Sequence, residues 1–179
     1  MRLIVVSIVA FAVTLLFSCG GPPPTHEELV GFAKVIRQSI QKTDPGTKDF
    51  YDYTGRILYA VDAGLGLDSG SARLVRGEYE RMMEELKGEQ KNVAALRNLD
   101  KKSDLRKRTI VYLEHVEDFP KKFYQFFLRY AQTPGNKGAY DERQAFSKQL
   151  ADMRAERDQL NRDVQQFCDA NKIGEGEVK

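Results

Sequence analysis

The sequence is short of the residues that build most catalytic and metal sites. Its 179 residues include no tryptophan, two histidines and two cysteines. The histidines, His26 and His115, stand alone, without the paired spacing of an HExxH zinc motif. There is no GxSxG motif, no Ser, His and Asp are spaced as in a catalytic triad, and Cys168 has no neighbouring histidine. We therefore predict a protein that is not an enzyme and that needs no metal or other cofactor.

The sequence also lacks an excess of charge of one sign. It has 28 Lys and Arg against 26 Asp and Glu, a formal net charge of +2. This balance gives no overall attraction to nucleic acid or anionic lipid, and we expect no nucleic-acid partner. Charged residues still make up 30% of the chain, which indicates a solvated helical surface rather than an aromatic-lined cleft.

The N-terminal segment is apolar but short. Arg2 precedes an apolar run over residues 3–17, and Ser18 and Cys19 follow it. A helix needs about 20 residues to span a membrane, so this run is too short. A charged start, an apolar middle and a small-residue end are typical of a secretory signal peptide. With Cys at the cleavage position, the segment resembles a bacterial lipoprotein signal peptide, whose lipobox ends in a small residue and then Cys.

This resemblance implies a lipid anchor on the mature protein. Cys19 would carry a diacylglyceryl group, with acyl chains such as palmitate, and residues 1–18 would be cleaved off as the signal peptide. Two acyl chains hold a protein stably on a membrane. Residues 19–24 then form a lipidated Cys with a Gly/Pro tether, because Gly20-Gly21-Pro22-Pro23-Pro24 cannot continue a helix. An ordinary secreted protein or an uncleaved anchor, with Cys19 incidental, is the alternative.

The residue after Cys19 bears on the destination of the protein. Gly20 stands where enteric-type bacteria place an Asp to retain lipoproteins in the inner membrane. By the same resemblance, we expect a cell-envelope protein, on the outer membrane and facing the periplasm if the organism is Gram-negative.

Beyond the tether, apolar residues recur with a helical period, and alternating strand-like runs are nearly absent. The sequence predicts an all-α, antiparallel helical bundle of three long helices plus two shorter N-terminal helices, over residues 25–171. Residues 172–179 are expected to form a flexible tail. The first helix begins with a capping box at Thr25 and ends at the Asp44-Pro45-Gly46 turn. The predicted helices cover residues 25–43, 48–63, 72–99, 103–118, 120–131 and 140–171.

Glycine and proline set the other boundaries. The Gly64–Gly70 stretch lacks the spacing and the Lys of a phosphate-binding loop, so it is interpreted as a flexible connector. Pro120 is expected to break or kink the helix around it. The heptads of the third and last helices each contain one long polar residue, Glu89 and Arg157. These irregularities favour packing within one chain, although homo-oligomerisation stays open.

Two clusters are candidate sites. The run Phe123–Tyr130 is apolar nearly all round, so it is either central core or a face for a ligand, lipid or partner. A basic cluster either contacts anionic head groups or an acidic partner, or is the solvated start of a helix. The residues of the aromatic face are Phe123, Phe126, Phe127 and Tyr130, and those of the basic cluster are Lys101, Lys102, Arg106, Lys107 and Arg108.

Two functions remain open from the sequence. The first is a membrane-anchored, non-catalytic envelope lipoprotein whose helices act as a protein-interaction or scaffold module with an envelope partner. The second is a helical module that binds an apolar ligand or lipid around the aromatic face. Cys168 is expected to be buried beside Phe167, with pairing between two chains as the alternative.

Overall fold

The protein, described as a computed structural model over residues 22–100, 102–132 and 138–178, is all-helical within these ranges. This confirms the predicted class. The helices are α1 (His26–Asp62), α2 (Ser69–Ala95), α3 (Leu105–Gln132) and α4 (Gly138–Ala170), followed by a 3₁₀ turn at Glu175–Glu177. The predicted signal peptide, Cys19 and Lys101 lie outside the described residues.

The prediction of two short N-terminal helices is wrong. Residues 44–46 do not end the first helix, and α1 runs for 37 residues through the proline. A proline inside a helix costs about 3 kcal/mol. Burial of one large apolar side chain contributes about 1.5–3 kcal/mol, and α1 buries several on each side of the proline. These buried residues are Phe32, Ile36, Ile40, Phe50, Leu58 and Val61.

Of the break or kink expected at Pro120, the break is wrong, since α3 is one helix of 28 residues with Pro120 inside it. Pro120 lies in the core with Phe119, which has no exposed surface, and Phe123, which is 1% exposed. Packing of these rings outweighs the lost backbone hydrogen bond. The described chain therefore has four long helices, where the sequence predicted six helical segments.

Side-chain contacts between the helices give their directions. Consecutive helices run antiparallel, as Phe50–Tyr79, Tyr79–Tyr124 and Arg129–Glu142 contacts show at one end. Helices α1 and α3 run parallel and pack directly on each other across the diagonal of the bundle. Within the described chain, α2 and α4 share no comparable interface. They flank the α1–α3 pair on opposite sides, so the core forms along this diagonal.

The two ends of the bundle are named here by the residues they hold. The proximal end holds Pro22, whose carbonyl oxygen accepts a hydrogen bond from Arg97 at 3.0 Å. The distal end holds the end of α1 and the start of α4, where Asp62 lies 2.9 Å from Arg143. None of the described helices is long and apolar enough to span a membrane.

Both termini of the described chain pack at the proximal end. The predicted capping box is confirmed, because Thr25 Oγ1 accepts from the Glu28 N–H and Glu28 accepts from the Thr25 N–H. Residues 172–178, expected as a flexible tail, lie against the bundle, with Ile173 and Val178 buried. Glu177 reaches His26 at 2.9 Å, which joins the last turn to the first helix.

Candidate functional site

The aromatic residues of α3 lie inside the bundle. The four that were predicted as core or as a binding face are all buried, namely Phe123, Phe126, Phe127 and Tyr130. The ring centroid of Phe123 is 4.8 Å from that of Tyr51 and 5.0 Å from that of Phe146. Rings from α1, α3 and α4 thus fill the centre of the bundle against one another. Phe123 also lines a surface groove between α1 and α4.

The basic cluster lies at the proximal end, and two of its members are used within the fold. Arg106 donates to the carbonyl oxygens of Val93 and Ala94 in the last turn of α2, where Val93 also accepts from the Leu96 N–H. Arg108 lies 2.7 Å from the carboxylate of Asp163 on α4. By contrast, the remaining described members, Lys102 and Lys107, are exposed.

The irregular heptad position in α2 is a polar contact with α1. Glu89 is buried, accepts a hydrogen bond from Ser39 Oγ at 2.7 Å and lies 3.0 Å from Lys42 Nζ. Burial raises the pKa of Glu89, but hydrogen bonds from Ser39, Lys42 and Asn92 outweigh it, and the net pKa lies below its usual 4.5. Glu89 is therefore a charged residue whose oxygens are already occupied.

Arg157 plays the corresponding part in α4. Its guanidinium pairs with Asp44 on α1 and with Asp158. Nearby, burial raises the pKa of Tyr112 to about 12, so this phenol stays neutral. The two polar interruptions of the heptads thus both contact the middle of α1, where they fix its register against its neighbours.

A groove lies between α1 and α2 beside Glu89. Its volume is about 460 Å³, and Met82 and Leu86 form its apolar wall. Glu89 and Lys42 form its polar wall, but they satisfy each other. This groove offers a ligand few unsatisfied polar groups.

The groove between α1 and α4 is different. It has a volume of about 480 Å³ and is open to solvent on its outer side. Four of its lining residues are apolar or aromatic and two are arginines, with Gly55 and Asp52 completing the wall. These residues are Tyr51, Leu58, Tyr59 and Phe123, and Arg56 and Arg143.

Arg143 is incompletely paired. Its Nη2 lies 2.9 Å from Asp62, but neither this atom nor Nε, both buried, makes a hydrogen bond. The guanidinium carbon lies 4.8 Å from the centre of the Tyr130 ring, and Tyr130 donates its hydroxyl proton to Asp62. A buried N–H without an acceptor is costly, so Arg143 Nε is the least satisfied donor in this groove.

The distal end carries most of the exposed apolar surface. Six large apolar side chains are exposed in the described part of the chain, and all but Val111 lie here. They come from both ends of the α1–α2 connection and from the α3–α4 junction: Tyr59, Leu65, Leu74, Leu128 and Tyr140. The sequence pattern gave little sign of this surface. Its one local signal was an apolar residue between two glycines, Gly64-Leu65-Gly66, in a segment interpreted as a flexible connector.

Other reactive side chains are held in structural contacts. His26 pairs with Glu177 and His115 with Glu156, each at an exposed position. Cys168 is buried, as expected, and burial raises the pKa of its thiol, which keeps it protonated and a weak nucleophile. No group of His, Cys, Asp and Glu among the described residues could hold a metal ion.

Comparison with known proteins found no matching family model, no similar curated protein and no similar solved structure.

Proposed function

We propose that this protein is a cell-envelope lipoprotein, anchored through Cys19, whose bundle docks a protein partner and has no catalytic activity of its own. One observation carries the docking proposal: five of the six exposed large apolar side chains gather at the distal end. Single exposed apolar residues are ordinary, whereas a cluster of them is typical of an interaction surface. The function therefore lies at one end of the bundle.

The position of this surface suits a tethered protein. Pro22 lies at the proximal end and follows Cys19 by three residues in the sequence. A lipid on Cys19 would hold the proximal end at the membrane. At 1.5 Å per residue, the 37 residues of α1 separate the two ends by about 55 Å. The apolar surface would then stand well clear of the head groups, within reach of a partner in the envelope.

The charges at the distal end favour a particular partner. Arg56 and Arg73 are exposed and have no ion-pair partner among the described residues. They lie close in sequence to Tyr59 and Leu74, whose side chains are 75% and 60% exposed. We expect an amphipathic helix whose apolar face covers these side chains and whose acidic flank pairs with the arginines.

Site-specific cross-linking tests the docking surface. A photo-reactive residue at Leu74 should give a protein adduct in intact cells, and the same residue at Val111 should not. The adduct partner is then purified, and Leu74→Glu should weaken its binding about tenfold, with a smaller loss for Arg73→Gln. Val111→Glu is the matched control. Equal labelling at Val111, an adduct only with lipid or with a second copy, or unchanged affinity in Leu74→Glu would overturn the proposal.

The anchor has its own test. Wild-type protein should incorporate labelled palmitate and sediment with membranes. Cys19→Ala should lose the label and keep the uncleaved signal segment, which makes the protein larger. Cys168→Ala, the other cysteine variant, should behave as wild type. If Cys19→Ala stays the same size and remains membrane-bound, Cys19 is not the lipid site.

The alternative, an apolar ligand enclosed by the four α3 aromatics, has less support. Phe126 and Phe127 are buried at 2% and 0% exposure, and the rings of Phe123, Phe126 and Phe146 touch one another. Space for a ligand of that kind would require these rings to separate. The surface groove that Phe123 lines is a separate candidate site.

A further inference from the structure

The α1–α4 groove has the form of a small-molecule site, and it shares only Arg56 and Tyr59 with the proposed docking surface. Its volume of about 480 Å³ falls within the roughly 300–1,000 Å³ of small-ligand pockets. Gly55 contributes no side chain to this groove, and a Cβ added there would meet no atom within 4 Å. Gly31 and Gly77 are equally uncrowded but border none of the described grooves. An uncrowded glycine is therefore no evidence of a ligand site, and the evidence comes from the residues that line the groove.

These walls combine an apolar surface with two arginines, of which Arg143 is already ion-paired with Asp62 through Nη2. Tyr51, Leu58, Tyr59 and Phe123 offer contact to a hydrocarbon chain. Arg56 has no ion-pair partner in the described ranges, and the buried Nε of Arg143 has no hydrogen-bond acceptor. The one acidic residue of the groove, Asp52, is paired with Lys48 at 3.2 Å.

We propose that the groove binds an amphiphilic anion, an apolar chain that ends in a carboxylate or a phosphate. The chain lies on the aromatic wall and covers Phe123. The anionic group accepts hydrogen bonds from Arg143 Nε and from Arg56. It thereby gives Arg143 Nε the acceptor that this atom lacks. Both groups suit arginine, whose guanidinium presents several donors in one plane.

Calorimetric titration of the purified protein tests the ligand class. Dodecanoate and dodecyl phosphate represent the two anionic groups, and dodecanol has the same chain without a charge. We expect at least one anion to bind with a Kd below about 1 mM, and dodecanol to bind about tenfold more weakly or not at all. A preference for dodecanoate would indicate a free fatty acid, and a preference for dodecyl phosphate would indicate a phospholipid. Equal binding of dodecanol, or no binding of either anion, would overturn the proposal.

Substitutions locate the site. Gly55→Leu fills the groove and should abolish anion binding, whereas Gly31→Leu, in the same helix and equally uncrowded, should leave it unchanged. Arg143→Gln should weaken anion binding about tenfold without changing the binding of dodecanol. Thermal unfolding shows whether each variant folds. If Arg143→Gln does not fold, Arg56→Gln, at an exposed position, tests the same loss of positive charge in the groove.

Anion binding in the groove can be tested separately from the docking function. Leu74→Glu, which should weaken partner binding, lies outside the groove and should bind dodecanoate as wild type does. Unchanged dodecanoate binding in Gly55→Leu would place the ligand elsewhere and overturn the proposal, whatever the outcome of cross-linking at Leu74.

Discussion

The two ends of the bundle are closed in different ways. At the proximal end, polar side chains complete the connection between helices: Arg106 donates to carbonyls in the last turn of α2, and Asp100 accepts from the loop before α3. At the distal end, the α1–α2 connection turns on Gly64 and Gly66, with φ of 82° and 70°, and exposes Leu65. Polar contacts such as Asp62–Arg143 occur at the distal end too, but among the described residues this end alone adds several exposed large apolar side chains.

This difference separates residues that stabilise the fold from large apolar residues that stay exposed. Polar contacts at the proximal end satisfy groups that folding would otherwise strand. Exposed leucine and tyrosine at the distal end contribute little to the stability of the isolated chain, because their surfaces stay in water. Substitutions at the two ends should therefore differ in what they change.

The largest effect is expected just inside the distal end. Phe127 is fully buried and Leu128, the next residue, is 42% exposed. Phe127→Ala should lower the free energy of unfolding by about 3–5 kcal/mol. Leu128→Ala should change it by no more than about 0.5 kcal/mol. Urea unfolding of both variants measures this contrast, and a comparable loss in Leu128→Ala would mean that the distal apolar surface stabilises the fold.

A smaller loss is expected at the proximal end. Asp100 accepts hydrogen bonds from the backbone N–H groups of Lys102 and Ser103, each at 3.1 Å, and from the Ser103 hydroxyl. Asp100→Ala leaves these donors without their acceptor and should lower the free energy of unfolding by about 1–3 kcal/mol at pH 7. Lys102→Ala, which keeps the backbone donor, is the control and should have almost no effect.

The Asp100 contribution should depend on pH. Burial raises the pKa of Asp100, but hydrogen bonds from Ser103 and Lys102 lower it more, and the net pKa lies below its usual 3.8. The unfolded state then takes up the proton first, so this stabilisation is present above about pH 4 and is lost as pH falls through the folded pKa. Thermal unfolding between pH 7 and pH 2.5 should show the gap between wild type and Asp100→Asn narrowing. A constant gap would contradict this.

The smallest effects have opposite signs at two glycines. Gly64, in the distal turn, has positive φ, so Gly64→Ala should lower the free energy of unfolding by about 1–2 kcal/mol. Gly77 lies inside α2 with no atom within 4 Å of an added Cβ, so Gly77→Ala should raise it by about 0.5–1 kcal/mol. Chemical denaturation decides both, and a stabilised Gly64→Ala would mean that the distal turn is free to adopt another backbone conformation.

Local sequence signals predicted the helix faces well. The capping box at Thr25 and the apolar positions of α2 and α4 follow from the spacing of residues along one helix, and they appear where expected. Both predicted interruptions failed at proline, at residues 45 and 120. A proline in the sequence shows that a helix through it would be locally unfavourable. Whether the helix continues depends on how much apolar surface the segments on both sides of the proline bury.

The candidate sites were less predictable. Burial of the α3 aromatics was one of two alternatives, because a helix that is apolar all round fits either a core or a binding face. Arg143 and Gly55 gave no signal, since a single arginine and a single glycine occur on many helices. These two residues become part of one groove only through the contact between α1 and α4, which brings together residues almost 90 positions apart in the sequence.

The sequence by itself determined the all-helical class, the apolar face of each helix and the start of α1, because these depend on propensity and spacing within a few residues. Tertiary structure decided the continuity of α1 and α3, the partners of Glu89 and Arg157, and the gathering of exposed apolar side chains at one end. The physical reason is that burial is a property of the packed bundle: a residue is covered, paired or left exposed by helices distant in sequence.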